Sequence, residues 1–226
     1  MNKVLIFGYG YVARFLSEKI IANGNSVLAT SRDSNKMNTQ VDKLTLIHPD
    51  KINLKLTELK DETTHLIVSA PPNESGDVFL NQYQDILLSM SSLKWIGYLS
   101  ATNVYGDHNG EYVNELSSLK GRTSKGINRI KAEGQWIEYS KENDLPLHIF
   151  RIAGIYGPER NIYERIKSNK FNHIIKHDQY FSRIYIYDLV NILLASMNKP
   201  NPINIYNVAD DMPSNMSDVV DFICQR

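Results

Sequence analysis

The 226-residue sequence predicts an α/β fold, a doubly wound parallel sheet covered by helices on both faces. Three observations predict it. An apolar run at residues 4–7 ends abruptly in Gly8-x-Gly10-x-x-Ala13, and apolar positions at helical spacing follow, namely Val12, Phe15, Leu16 and Ile20. Short strand-like runs then alternate with helical patterns along the rest of the chain, without internal repeats or low-complexity tracts. Small or polar residues gather where those runs stop, at the edge where open α/β sheets hold their ligands.

Composition narrows the class. Lys and Arg together number 25, as do Asp and Glu, so the formal net charge is zero. That balance argues against a nucleic-acid partner and against binding to a membrane surface. No apolar run is long enough for a signal peptide core or a membrane span. The single cysteine, Cys224, cannot form an internal disulfide, which fits a reducing, cytoplasmic setting. The six histidines show no ligand spacing, so no metal site is expected. The length suits a single dinucleotide-binding domain over residues 1–226, with substrate-side insertions at about 152–187 and 209–226.

The first strand and its glycine turn carry the strongest chemical signal. The first glycine permits a tight turn, the second lets backbone approach a dinucleotide pyrophosphate, and Ala13 keeps the helix close to the strand. The helix N-terminus adds unpaired amides and the positive end of its dipole. Gly8, Tyr9, Gly10, Tyr11 and Val12 are therefore candidate cofactor-binding residues. Asn23-Gly24-Asn25 stops the helix, and residues 26–30 form the second strand. Ser31 and Arg32 follow, where an adenosine ribose is read. An acidic residue there suits the 2′-hydroxyl of NAD, whereas arginine accommodates the 2′-phosphate of NADP. The Thr30 and Ser31 hydroxyls with the Arg32 guanidinium favour NADP over NAD. A merely solvated arginine is the other reading.

Residues 43–47 form a third strand, and Leu54, Leu56 and Leu59 mark a short connecting helix. A buried strand from His65 ends in Ser69, Ala70, Pro71 and Pro72, leaving room for a cofactor to cross the sheet edge. Residues 78–90 have helical spacing with an apolar face for the core. The strand at 95–100 ends at Ser100, a further cofactor candidate, and runs into Ala101, Thr102 and Tyr105. A long helix spans about 124–143, and a strand at 145–151 follows. Gly157-Pro158 is a turn before a helix reaching about Asn169. A short strand at Ile184 passes into a helix with Asp188 as N-cap, and 203–208 and 214–223 are the last strand and helix.

Four stretches occur in order: Gly8-x-Gly10-x-x-Ala13, Tyr98-Leu99-Ser100-Ala101-Thr102-Asn103-Val104-Tyr105-Gly106-Asp107, Arg151-Ile152-Ala153-Gly154-Ile155-Tyr156-Gly157-Pro158 and Ile205-Tyr206-Asn207-Val208-Ala209-Asp210-Asp211. Together they resemble the extended short-chain dehydrogenase/reductase superfamily, in its nucleoside-diphosphate-sugar epimerase/dehydratase branch and that branch's atypical bacterial members. The resemblance covers nearly the whole chain. It implies a Rossmann-type fold, a nicotinamide cofactor, and redox chemistry on a nucleotide-sugar-like or small hydroxylated substrate. Related members continue past the last motif, so the substrate region is expected to be abbreviated.

Catalysis in this superfamily uses a tyrosine as general acid/base, a lysine four residues later that lowers its pKa, and a hydroxyl at the preceding strand end. Here the pattern departs. Ala101 stands at the hydroxyl position with Thr102 adjacent, Lys125 at the tyrosine position and Arg129 at the lysine position. No Tyr-x-x-x-Lys occurs between Gly106 and Asn143. Thr102, Lys125 and Arg129 are therefore the candidate catalytic groups, although an arginine does not give up its proton near neutral pH. Both charges also read as solvated helix residues. Tyr105, Tyr156 and Arg183 are the candidate substrate residues, with packing tyrosines and a surface arginine as the alternative. The rival to an enzyme is a non-catalytic NADP(H)-binding sensor, or a degenerate relative that lost the Tyr/Lys pair. A third reading, with no dinucleotide, requires Tyr9 and Tyr11 to fill the phosphate space. By analogy the helices at 78–90 and 124–143 would pair in a homodimer.

Overall fold

The computed structural model describes residues 2–37, 41–168 and 179–225. In chain order its elements are β1 (Lys3–Phe7), α1 (Tyr11–Ala22), β2 (Ser26–Thr30), α2 (Ser34–Met37), β3 (Leu44–Ile47), α3 (Ile52–Leu59), β4 (Thr63–Val68) and α4 (Val78–Leu88). There follow β5 (Trp95–Ala101), α5 (Ser124–Glu142), β6 (Leu147–Ile152), β7 (Gly154–Tyr156), α6 (Ile162–Lys167), β8 (Arg183–Tyr185), α7 (Ile186–Met197), β9 (Asn204–Val208) and α8 (Met216–Cys224). Seven strands pair in parallel in the order β3-β2-β1-β4-β5-β6-β9. The order reverses beside β1, since β2 and β3 lie on one side of it and β4, β5, β6 and β9 on the other. That switch point opens a crevice at the carboxyl ends of β1 and β4, the place where such sheets bind ligands.

Strand alternation separates two apolar layers. Val4 and Ile6 of β1 face the layer of α1 and α7, with Leu16, Ile20, Leu189 and Leu193. Leu5 and Phe7 face α3, α4 and α5, with Ile52, Leu56, Phe79 and Trp136. Each large side chain so buried contributes about 1.5–3 kcal/mol. A period of two on the strands and a helical stripe on their partners thus fix which face each element buries.

Several boundaries differ from the sequence expectation for local reasons. Asp188 is not an N-cap. β8 runs into α7 without a loop, Tyr185 is the capping residue, and Asp188 lies in the first turn, where its charge meets the positive dipole end. The last helix begins at Met216, capped by Asn215, because Ser214 is held outside it by two backbone hydrogen bonds with Phe181. α6 ends at Lys167, and Asn169 lies outside the described residues. β7 and β8 form a second, two-stranded parallel sheet that the sequence pattern did not foretell.

Polar groups enter the core at two places. At the amino edge of the sheet, His148 Nδ1 faces both Trp95 Nε1 at 3.1 Å and the Ser196 hydroxyl. Burial lowers the pKa of His148 and of His65, so both sit neutral in the fold. Between α4 and α5, Asp77 caps α4 through a 2.8 Å bond from the Leu80 amide. Its other carboxylate oxygen, Trp136 Nε1 and the Tyr98 hydroxyl are buried without hydrogen-bond partners among the described residues. Burial pushes the Asp77 carboxyl up to about 6, against the weaker opposing pull of the Leu80 amide.

The sign of that shift gives a test. A carboxyl whose folded pKa exceeds its unfolded value contributes most below the unfolded pKa, and the contribution disappears as pH rises through about 6. Asp77→Asn keeps the cap and cannot ionise. Urea unfolding from pH 4 to 8 is expected to show the variant gaining on the wild type by roughly 2–3 kcal/mol as pH rises to 7. An unchanged difference across that range would refute the burial account.

Candidate functional site

The switch-point crevice is floored by the glycine turn. The Phe7 carbonyl accepts the amides of both Ser69 and Ala70 at 2.9 Å, which stitches the end of β1 to the end of β4. Gly8 has φ +107°, and a Cβ there would lie 2.7 Å from the Ala70 nitrogen. Only glycine meets both conditions. The Gly8 amide donates to Thr30 Oγ1 at 2.8 Å and the Tyr9 amide to the Thr30 carbonyl at 2.7 Å, so β2 fixes the turn from the other side. Gly10 is the N-cap of α1 and carries no capping side chain, and a Cβ at Gly10 would meet nothing within 4 Å. The first turn of α1 holds no acidic residue. Open space over Gly10, the leading amides of Tyr11 and Val12, and the dipole end together fit a pyrophosphate.

The tyrosines do not fill that space. Tyr9 packs against the core, and burial raises its phenol pKa, with Glu18 adding to the effect. The Tyr11 hydroxyl donates to the Pro158 carbonyl at 2.8 Å. The Val12 side chain is buried, which leaves only its amide for a ligand.

The ribose corner is narrower than expected. Ser31 is buried, and its hydroxyl accepts the Asp33 amide at 3.1 Å, which closes a local turn and leaves the hydroxyl proton as the contact it still has to offer. Thr30 is likewise committed to Gly8. Arg32 is exposed, and among the described residues no ion pair engages it. Among the described residues it is an unpaired cation at the end of β2.

Beyond β5 the chain makes a short 3-10 turn, Thr102–Val104, against which α5 packs closely; a Cβ at Gly126 would lie 2.9 Å from the Asn103 carbonyl. Thr102 and the start of α5 are thereby neighbours. Lys125 is exposed and Arg129 half-buried, one turn apart on α5. Burial and the nearby Asp77 raise the Tyr98 phenol, and the Arg129 charge opposes them, which puts Arg129 beside Tyr98.

A buried network lies beneath this region. Arg151 on β6 donates to Glu133 on α5 through Nε at 3.1 Å and Nη2 at 2.8 Å, both residues being at most 3% exposed. Arg151 Nη1 also donates to the Tyr105 hydroxyl at 2.9 Å and to the Glu115 carbonyl at 3.1 Å. Tyr105 in turn donates to Asn207 Oδ1 at 2.6 Å, and Glu115 accepts the Asn207 amide at 2.7 Å. Burial alone would lower the Arg151 pKa, but its bonds to Glu133 and Tyr105 outweigh that and raise it. The Ser100 hydroxyl donates to Glu133 Oε1. Two expectations are corrected here. The Tyr105 hydroxyl is buried and bonded to Arg151 and Asn207 rather than facing substrate, and the Ser100 side chain turns inward to Glu133 rather than to a cofactor. Glu133, Arg151, Asn207 and Glu115 were missed as a unit. The available signal was an arginine near the end of the largely apolar Leu147–Ile152 and a glutamate on the buried stripe of α5 with Trp136 and Ser140.

On the substrate side Tyr156 is 39% exposed and lies against the Tyr185 ring at 5.4 Å. Partial burial raises its phenol pKa, and Asp210 and Asp188 add to the shift. Arg183 Nη1 donates to Ser214 Oγ at 2.7 Å and to the Phe181 carbonyl at 3.1 Å. Its Nη2 and Asp210 Oδ1 are buried without partners among the described residues. Half of the Arg183 fork is thus spent on holding the segment before α8, and half remains.

The profile of the NAD dependent epimerase/dehydratase family matches residues 4–209. Among solved structures, a functionally unknown conserved protein from Silicibacter pomeroyi is 36% identical, with TM-score 0.89 over 98% of this chain and 77% of its own. UDP-glucuronic acid 4-epimerase from Bacillus cereus, in complex with NAD, is 18% identical, with TM-score 0.80 over 99% of this chain and 83% of its own. UDP-glucose 4-epimerase from Thermotoga maritima, with UDP-glucose, is 17% identical, with TM-score 0.77 over 99% and 82%. No curated protein matches the chain.

Removing one partner of a buried, hydrogen-bonded ion pair leaves an uncompensated charge. Arg151→Met is therefore expected to lower stability by about 3–5 kcal/mol in urea unfolding. Adding Glu133→Gln to it should recover part of that loss; equal instability of the single and double variants would show that the pair is not the cause.

Proposed function

Because the chain belongs to the NAD dependent epimerase/dehydratase family, we propose that it binds a nicotinamide dinucleotide, NADP in preference to NAD, and acts on a nucleotide-sugar-like or small hydroxylated substrate. One observation carries the cofactor reading: the open face of Gly10 at an uncapped helix start, walled by the Gly8–Ala70 contact. In this reading the amides of α1 hold the pyrophosphate and Arg32 pairs with the ribose 2′-phosphate. Ser69, Ala70 and Pro71 line the path across the sheet edge. The nicotinamide, when bound, supplies the oxidation–reduction chemistry.

The protein groups left for substrate are few. Thr102 offers a hydroxyl at the end of β5, and Arg129 offers fixed positive charge to a phosphate or ribose. Arginine keeps its proton, and Lys125 is solvent-exposed, outside the desolvated setting that a lysine base requires. Arg183 is the candidate cation for a diphosphate, its buried Nη2 having to turn outward to meet one, and Tyr156 is the phenol still open to a substrate. A homodimer through α4 and α5 would cover Leu88 and Ile127, both exposed.

A second reading has its own support. The hydroxyls of Ser100 and Tyr105 are both consumed by the buried network, and Ala101 adds none. That favours a dinucleotide-binding protein without turnover. Calorimetric titration with NADPH, NADP, NADH and NAD, repeated on Arg32→Ala, tests the first reading. Micromolar NADPH binding is expected, weakened roughly tenfold or more by the substitution while NADH changes little. No heat with any dinucleotide would sink the cofactor reading. Binding without conversion of any UDP-sugar offered would favour the second reading over catalysis.

A further inference from the structure

A strap at residues 157–160 lies against the start of α1. It is a tight turn closed by two backbone hydrogen bonds between Gly157 and Arg160, at 3.0 and 3.1 Å. Three contacts clamp it. The Tyr11 hydroxyl donates to the Pro158 carbonyl at 2.8 Å, and Arg14 Nη2 pairs with Glu159 at 3.0 Å. Gly157 is buried so tightly that a Cβ there would lie 2.5 Å from Ile186 Cγ2 and 2.9 Å from the Tyr11 hydroxyl. Glu159 holds a left-handed backbone, φ +62°, which costs a residue with a side chain about 1 kcal/mol. Strain of this kind persists where surrounding contacts hold it, and it concentrates at ligand-binding sites.

The strap carries two residues of opposite charge with different fates. Glu159 neutralises Arg14. Arg160 has no carboxylate within ion-pair reach among the described residues, is exposed, and places its guanidinium 5.3 Å from the centre of the Tyr11 ring. Tyr11 is the first residue of α1, so this cation lies beside the ring of the residue that opens the helix above Gly10. Arg14 also lies near the Tyr11 ring, at 5.8 Å, but its charge is spent. The glycine turn supplies amides and a dipole but no full positive charge. A dinucleotide pyrophosphate carries two negative charges.

We propose that Arg160, presented by the clamped strap, is a pyrophosphate-binding residue of the dinucleotide site. This rests on the cofactor reading above and adds to it a contact supplied from the far end of the sheet, through the segment after β7. The arginine fork suits two phosphate oxygens, and stacking on Tyr11 orients it before the ligand arrives. The residue acts on the shared pyrophosphate, so it does not distinguish NADP from NAD, which separates its role from that of Arg32.

Calorimetric titration of the full chain and of Arg160→Gln with NADP, NAD, ADP and adenosine tests the assignment, with thermal unfolding run on both proteins. Arg160 is exposed and the clamp contacts remain, so the variant should melt with the wild type. Affinity for NADP, NAD and ADP is expected to fall together by roughly 10- to 100-fold, with adenosine unaffected. The wild-type dependence of NAD affinity on salt should also flatten in the variant. Equal affinities of wild type and variant for NAD would overturn the role of Arg160 while leaving the cofactor site standing. An equal loss for adenosine would make the effect indirect and overturn it too. A wild type that binds no dinucleotide would remove the cofactor reading and Arg160's role with it.

Discussion

The ion pair between Arg151 and Glu133 is the interaction on which the upper half of this molecule depends. It joins the carboxyl end of β6 to the buried stripe of α5, and through Tyr105, Glu115 and Asn207 it reaches the segment after β5 and the edge strand β9. Each charge is kept by the other, because either alone in that interior would face a desolvation cost of several kcal/mol. The carboxyl ends of three strands and the segment leading to α5 are therefore held in one arrangement. Thr102 lies on that held ground. The same bonds consume the Ser100 and Tyr105 hydroxyls, so rigidity here comes at the expense of groups that would otherwise face a ligand.

The glycine turn at the switch point obeys a different constraint, one of space rather than charge. Its geometry follows from Phe7, Ser69 and Ala70 meeting at one carbonyl and from Thr30 gripping two successive amides. Nothing in that arrangement needs a ligand to form. The cradle is preorganised, which keeps the ordering cost of binding low.

Much of this was legible in the residues. The apolar run into Gly8-x-Gly10-x-x-Ala13 identified β1, the turn and α1, because those signals are local and each has one physical cause. The ends of β4 and β5 were legible for the same reason. What stayed hidden was whatever depends on distant partners. Arg151 and Glu133 are 18 residues apart in sequence, and only the packing of α5 on β6 makes them a pair. The turn that the Ser31 hydroxyl closes on the Asp33 amide was equally hidden, since nothing in Thr30-Ser31-Arg32 marks it. The second sheet stayed hidden because only its strand at Ile184 registered, while its partner Gly154–Tyr156 carries too little alternation in three residues. Asp188 misled as a cap because the chain passes from strand to helix with no loop for a cap to close.

That missing loop has a mechanical meaning. With Tyr185 ending one element and Ile186 beginning the next, β8 and α7 behave as a single stiff lever. One arm reaches β7 through paired backbone, and the other reaches α1 through the contact of Tyr187 with Phe15 at 5.4 Å. The two-stranded sheet therefore cannot tilt without leaning on the helix whose start forms the anion cradle.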